Sequence, residues 1–182
     1  GMGFVEETGA AQYYRDARIT TIYEGTTAIQ ANDLVGRKMA REGGVTAKAV
    51  VAMMREFCKT LATSNNVHLK ATHGKLSAGI DAVERAIEFN LANFNGNIRA
   101  CFAGSVPMVK LFGIVCGGWQ LARVAVEADK RITAGDADKA FYEAKIATLR
   151  FFADTMIPEA IAAADTIVNG YEGTLALDEA AF

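Results

Sequence analysis

Val106-Pro-Met-Val-Lys-Leu-Phe-Gly-Ile-Val-Cys-Gly-Gly-Trp-Gln-Leu-Ala-Arg-Val-Ala-Val126 is the stretch on which the fold turns. Met108, Phe112, Val115, Trp119, Ala122 and Val126 recur every three or four residues. That spacing lines one face of an α-helix and does not fit the alternation of a half-buried strand. The sequence therefore predicts a helix over roughly Val106 to Arg131. Gly113, Gly117 and Gly118 lie inside it, each unfavourable by about 1 kcal/mol relative to Ala. They are expected where a second helix approaches closely. The charge-free apolar part, Leu111 to Ala122, is shorter than the roughly 20 residues that span a bilayer.

The same period extends outward in both directions. Upstream, Leu76, Ile80, Val83, Ile87, Leu91 and Phe94 predict a helix from about Lys75 to Phe94, with Asn95-Gly96-Asn97 between it and an extension to Phe102. Val50, Met53, Met54, Phe57 and Leu61 predict another that starts near Thr46 and breaks at Asn65-Asn66. Downstream, Thr133-Ala134-Gly135-Asp136 reads as a turn with Asp136 as N-cap. The next helix runs from Ala137 to about Val168, with Phe141, Leu149, Phe152, Met156, Ile161 and Ala164 inward, a kink or break at Pro158 and an end at Gly170. At the front, helices are predicted over roughly Glu7 to Ala17 and Thr27 to Arg41. Thr27-x-x-Gln30 has the form of a capping box, and Gly43-Gly44 closes the second helix. The fold class is all-α, an antiparallel helical bundle of about six helices. A boundary at Gly43-Gly44 divides the chain into 1–43 and a bundle over 44–182.

Composition agrees and narrows the function classes. Only Pro107 and Pro158 interrupt 182 residues, 51% of them hydrophobic, enough for a core. A net charge of −2 with interspersed signs argues against a nucleic-acid surface. Cys58, Cys101 and Cys116 sit in apolar helical runs and read as buried free thiols in a reducing compartment. His68 and His73 have poor spacing for one helix face and no neighbouring Cys or carboxylate, so they read as surface residues near a turn and no metal site is expected. The Met and aromatic stripes read as core.

The first forty residues carry more than periodicity. Gly1-Met-Gly-Phe4, Arg15-Asp-Ala-Arg-Ile19 and Ile22-Tyr-Glu-Gly-Thr-Thr-Ala-Ile-Gln30 together resemble the acyl-CoA dehydrogenase family in order and spacing. Asn32-Asp-Leu-Val-Gly-Arg-Lys38, the Leu-Phe-Gly and Gly-Trp elements of Val106 to Ala122, and Phe141 to Phe152 with the later Ile157-Pro-Glu159 resemble the branch with an additional C-terminal helical domain. The resemblance covers nearly the whole chain. It implies a C-terminal part of an enzyme of fatty acid β-oxidation that converts an acyl-CoA thioester to the trans-2-enoyl-CoA. A carboxylate removes the α-proton while the β-hydrogen leaves as hydride to FAD.

The resemblance makes Glu24 the catalytic base and Gly25 the substrate-binding residue behind it, where the lack of a Cβ permits close approach. It makes Thr26 and Thr27 FAD contacts at a helix start, where free amides and the positive end of the helix dipole suit polar groups. Gly1 matches a glycine that touches the FAD of a neighbouring subunit. One position departs: Ala28 stands where many members have Gln, and that flavin contact is not carried over. Arg15 and Asp16 read as a structural ion pair or helix-end contact; Arg18 reads as structural or as reaching a phosphate. Tyr171-Glu-Gly-Thr174 repeats four letters of the motif without its lead-in, and reads as a chance match in a C-terminal loop.

The implied partners are acyl-CoA, an electron-transfer flavoprotein and further copies in a homodimer or homotetramer, with membrane association left open. The implied location is bacterial cytoplasm in preference to mitochondrial matrix. The chain alone is expected neither to retain FAD nor to turn over. Two other readings stand beside the enzyme: a helical interaction or dimerisation module, and a structural bundle that kept the motif by descent.

Overall fold

The computed structural model describes residues 1–23 and 26–181. Among them every regular element is a helix, with no strand. A single 3₁₀ turn, Glu6–Thr8, precedes α1 (Ala10–Ile19). Helix α2 (Thr27–Asn32) runs directly into a π-helical stretch, Asp33–Ala40. The bundle then comprises α3 (Val45–Ala62), α4 (Val67–Asn93), the short α5 (Ile98–Ala103), α6 (Ser105–Thr133), α7 (Lys139–Thr155), α8 (Ile157–Asn169) and a single turn, α9 (Tyr171–Thr174).

The deciding helix is α6, and it forms for the reason its period gives. Met108, Leu111, Val115 and Ala122 are fully buried on one stripe. By length and composition α6 could cross a membrane, which the charge-free segment alone understated. Here that length serves as the centre of the bundle, packed against α4, α7 and α8. Only part of the glycine expectation holds. At Gly118 a methyl group would meet Ile157 Cδ1 at 3.1 Å, so α8 does approach there, whereas Gly113 faces open space.

Helix ends depart from expectation where a side chain had a choice of partner. Helix α4 begins at Val67, not near Lys75, because Asn66 caps it: Oδ1 accepts from the amides of His68 (3.0 Å) and Leu69 (3.5 Å), while Nδ2 donates to Asp129 on α6 (2.7 Å). His68 and His73 are thus helical, His68 exposed and His73 partly buried. Asp136 does not cap α7; its carboxylate accepts from the amide of Asp138 (3.1 Å) and from the Tyr142 hydroxyl (3.2 Å), which fixes the turn after Gly135. The long terminal helix is two helices. It breaks at Met156, because Pro158 has no amide to donate and fits the first turn of a new helix. Tyr171–Thr174 is a helical turn and not a loop, its Tyr171 ring 5.6 Å from that of Phe89.

The core joins all the long helices: Met54 and Leu61 of α3, Leu76 and Ile87 of α4, Leu149 of α7, Ile157 and Ile167 of α8. Three residues assigned inward by period are exposed instead, Met53, Phe141 and Ile161. Each sits at the margin of a stripe whose centre a neighbour occupies: Met54, Ile146 and Ala160 are the buried ones. Val35 and Met39 of the π stretch are also fully buried in this core. The cysteines are free, Cys58 and Cys101 buried and Cys116 partly so, and burial pushes all three thiols up from their ordinary value.

One core residue is out of keeping. Asn90 is fully buried; its Nδ2 donates to the Ala86 carbonyl (2.9 Å), but its Oδ1 finds no hydrogen-bond partner among the described residues. Leu has nearly the same shape and no carbonyl to desolvate. Asn90→Leu is expected to raise stability by about 1–2 kcal/mol in urea unfolding. A loss instead would mean that a buried water satisfies that oxygen.

Candidate functional site

The motif-bearing segment is organised locally, and differently from the bundle. Thr8 Oγ1 donates to the Met2 carbonyl (2.7 Å), and Arg15 forms a bidentate pair with Glu6 (2.9 and 3.0 Å). Arg15 therefore pairs with Glu6 and not with its neighbour Asp16. Arg18 donates to Thr21 Oγ1 (3.0 Å), and Thr20 and Thr21 hydroxyls return to the Ala17 and Arg18 carbonyls (2.7 and 2.9 Å), which closes the end of α1. Gly1 is exposed, its carbonyl accepting from the Phe4 amide (2.9 Å).

Glu24 and Gly25 lie outside the described residues. Thr26, the next residue, has φ 60° and ψ 13°, the one non-glycine residue with positive φ among the described residues. A β-branched residue is strained there by roughly 1–3 kcal/mol. Its carbonyl accepts from the Gln30 amide (2.8 Å), so Thr26 is the N-cap of α2, but no side chain caps the helix. The capping box expected of Thr27 and Gln30 is not formed: the cap falls one residue earlier, on a left-handed threonine whose hydroxyl does not reach the helix amides. Thr26 and Thr27 are both exposed, next to exposed Ile22, Tyr23 and Ile29. The start of α2 thus presents two hydroxyls and amide donors without a side-chain cap, with exposed Ile29 in the same first turn.

Among the described residues no other cluster competes strongly. A cleft between α4, α6 and α7 is lined by His68, Asp129, Lys139, Glu143 and Arg150, but its charges are already engaged: Lys139 with Glu143 (3.5 Å), Arg150 with Asp154 (2.7 Å) and Asp129 with Asn66. Among the described residues no group of three or more His, Cys, Asp or Glu converges as metal ligands do.

Residues 50–178 match the family described as acetyl-CoA dehydrogenase C-terminal like, and residues 1–40 match the acyl-CoA dehydrogenase C-terminal domain. The chain belongs to the acyl-CoA dehydrogenase family. It is 43% identical to 3-methylmercaptopropionyl-CoA dehydrogenase of Ruegeria pomeroyi, over 87% of this chain and 27% of that protein. It is 32% identical to the broad-specificity linear acyl-CoA dehydrogenase of Mycobacterium tuberculosis, over 100% of this chain and 31% of that protein. A butyryl-CoA dehydrogenase of Syntrophomonas wolfei is 30% identical over 91% and 28%. The chain spans under a third of the length of these curated relatives.

As acyl-CoA dehydrogenase sequence, the segment holds two features that its motifs do not signal. One is the left-handed backbone at Thr26, for which a threonine gives no cue. The other is the fastening of α2: Ser105 Oγ donates to Asn32 Oδ1 at 2.8 Å across 73 residues of chain, and no local pattern announces such a pair.

Proposed function

We propose that the whole protein is an FAD-dependent acyl-CoA dehydrogenase in which residues 1–43 complete the substrate and flavin site and residues 44–182 add a helical bundle. The observation that carries this reading is the strained, exposed Thr26 opening a helix with no side-chain cap directly after Glu24-Gly25, within the stretch that matches the family's C-terminal domain. Strain of this kind clusters at active sites and ligand clamps. Hydroxyls and free amides at a helix start fit the polar edge of an isoalloxazine.

Glu24 takes the α-proton of the acyl-CoA, the new carbon–carbon double bond forms, and the β-hydrogen departs with its electron pair. Bound FAD supplies the acceptor for that hydride. A thioester α-carbon is a weak acid, so the backbone amide of the base helps hold the carbonyl oxygen as charge develops. Gly25 leaves room for substrate, Thr26 and Thr27 hold flavin polar atoms, and Gly1 meets the flavin of a neighbouring subunit. The exposed Phe4, Tyr13 and Ile29 are surface that the remainder of such an enzyme covers. An electron-transfer flavoprotein as acceptor, a homodimer or homotetramer, and a bacterial cytoplasmic location complete the reading.

The test is anaerobic mixing of the purified full-length protein with acyl-CoA. The visible flavin band is expected to bleach, whereas residues 1–182 alone are expected to be colourless and inactive. A full-length protein that takes up no FAD, or whose flavin no acyl-CoA reduces, overturns the reading.

A further inference from the structure

Helix α2 has only six residues, and all but Ala31 and Asn32 are exposed. A helix this short has no stability of its own. Its position is therefore set by whatever its C-terminal end is fastened to. The last turn of α2 packs directly on α6, with Ala31 fully buried, and three further fastenings lie on the additional bundle. Asn32, the last residue of α2, accepts from the buried Ser105 hydroxyl at the start of α6 (2.8 Å). Val35 and Met39 are fully buried in the bundle core. Gly36 receives the Phe102 ring so closely that a methyl group there would lie 3.4 Å from its Cζ. Between these points the helix is π-type, with Arg41 N bonded to Gly36 O (3.2 Å) and Gly44 N to Met39 O (2.8 Å). Such wider turns are rare and concentrate at functional sites.

We propose that Ser105 and Asn32 are positioning residues: their hydrogen bond lets the additional bundle hold α2, and so Thr26 and Thr27 at its other end, in register for catalysis. Thr26 and Asn32 are the two ends of one lever about 9 Å long. A tilt at Asn32 is passed to Thr26, and displacement of a reacting group by about 1 Å can cost on the order of a hundredfold in rate. The burial of Val35 and Met39 keeps the helix attached when the bond is lost, so the bond sets aim and not folding. The inference rests on the reading of Glu24 to Thr27 as the catalytic and flavin segment.

The test uses the full-length protein with Ser105→Ala, Asn32→Ala and the double variant. Amide hydrogen exchange at residues 30–32, the helix-bonded amides of α2, is expected to rise about tenfold in each, the scale of one lost hydrogen bond, with exchange in α4 and α6 unchanged. The kcat for acyl-CoA oxidation is expected to fall about tenfold with KM little changed, and the double variant to be no worse than either single one. Unchanged exchange at 30–32, a raised exchange with wild-type kcat, or additive losses in the double variant each overturn the proposal. Glu24→Gln is run alongside. If it keeps its rate, Glu24 is not the base, and the positioning role of Ser105 and Asn32 for it falls as well. If it is inactive while exchange stays flat, only the positioning proposal falls.

Discussion

Glu24→Gln in the full-length protein is expected to lower dehydrogenation by at least about a thousandfold while FAD content and acyl-CoA binding are retained. Gln keeps the size of Glu and the backbone amide at position 24, so the carbonyl-holding donor survives. It cannot accept the α-proton, and water is a poor replacement in a site that must exclude it. The measurement is single-turnover bleaching of the flavin by acyl-CoA, with flavin content determined on the same samples. Glu172 is the control, because Tyr171–Thr174 repeats the same four letters in a different setting. There the four residues form one helical turn at the end of α8, with Glu172 exposed. Glu172→Gln is expected to leave the rate unchanged. If Glu24→Gln stays active, the base lies outside this chain, and Thr26 and Thr27 do no more than contact the flavin.

Ile157→Ala is expected to destabilise the bundle by about 2–5 kcal/mol in urea unfolding of residues 1–182, among the largest effects a single truncation gives. Ile157 is fully buried at the break between α7 and α8 and fills the space left by two glycines. Methyl groups placed at Gly79 on α4 and Gly118 on α6 would lie 3.3 and 3.1 Å from its side chain. Three helices therefore converge on one side chain, and little can collapse into the cavity it leaves. Ile161→Ala, one turn on and exposed, is expected to cost less than about 1 kcal/mol. A second substitution checks the cause. In the wild type, Gly118→Ala crowds Ile157; in the Ile157→Ala background that contact is gone, and the helix-propensity gain of about 1 kcal/mol is free to show. Equal effects of Gly118→Ala in both backgrounds would disprove the contact.

Ile157 and Ile161 also show where a sequence pattern stops being informative. Period assigns one face to a single long terminal helix, but Pro158 starts a new helix, and the new phase buries Ile157, Ala160 and Ala164 while leaving Ile161 outside. Met53 and Met54 make the same point on α3: adjacent residues at the margin of a stripe are separated only by where the neighbouring helix lies. Asn66 is legible as a break but not as a cap joined to Asp129, since the partner lies 63 residues away. The candidate site divides in the same way. Glu24, Gly25, Thr26 and Thr27 stand out because residue types and spacing carry a family pattern. The left-handed φ of Thr26 does not, because threonine disfavours it and only the surrounding structure can hold it there.

Local pattern is enough for the helical class, the main helices, the glycine stop at Gly43-Gly44 and the family, because periodicity, turn chemistry and short motifs are properties of neighbouring residues. Which margin residues are buried, which cap a side chain prefers, and that Asn32 is tied to Ser105 emerge only once the helices have packed. These depend on contacts between residues far apart in sequence, whose energies of about a kcal/mol each are set by distance and burial that no local pattern encodes.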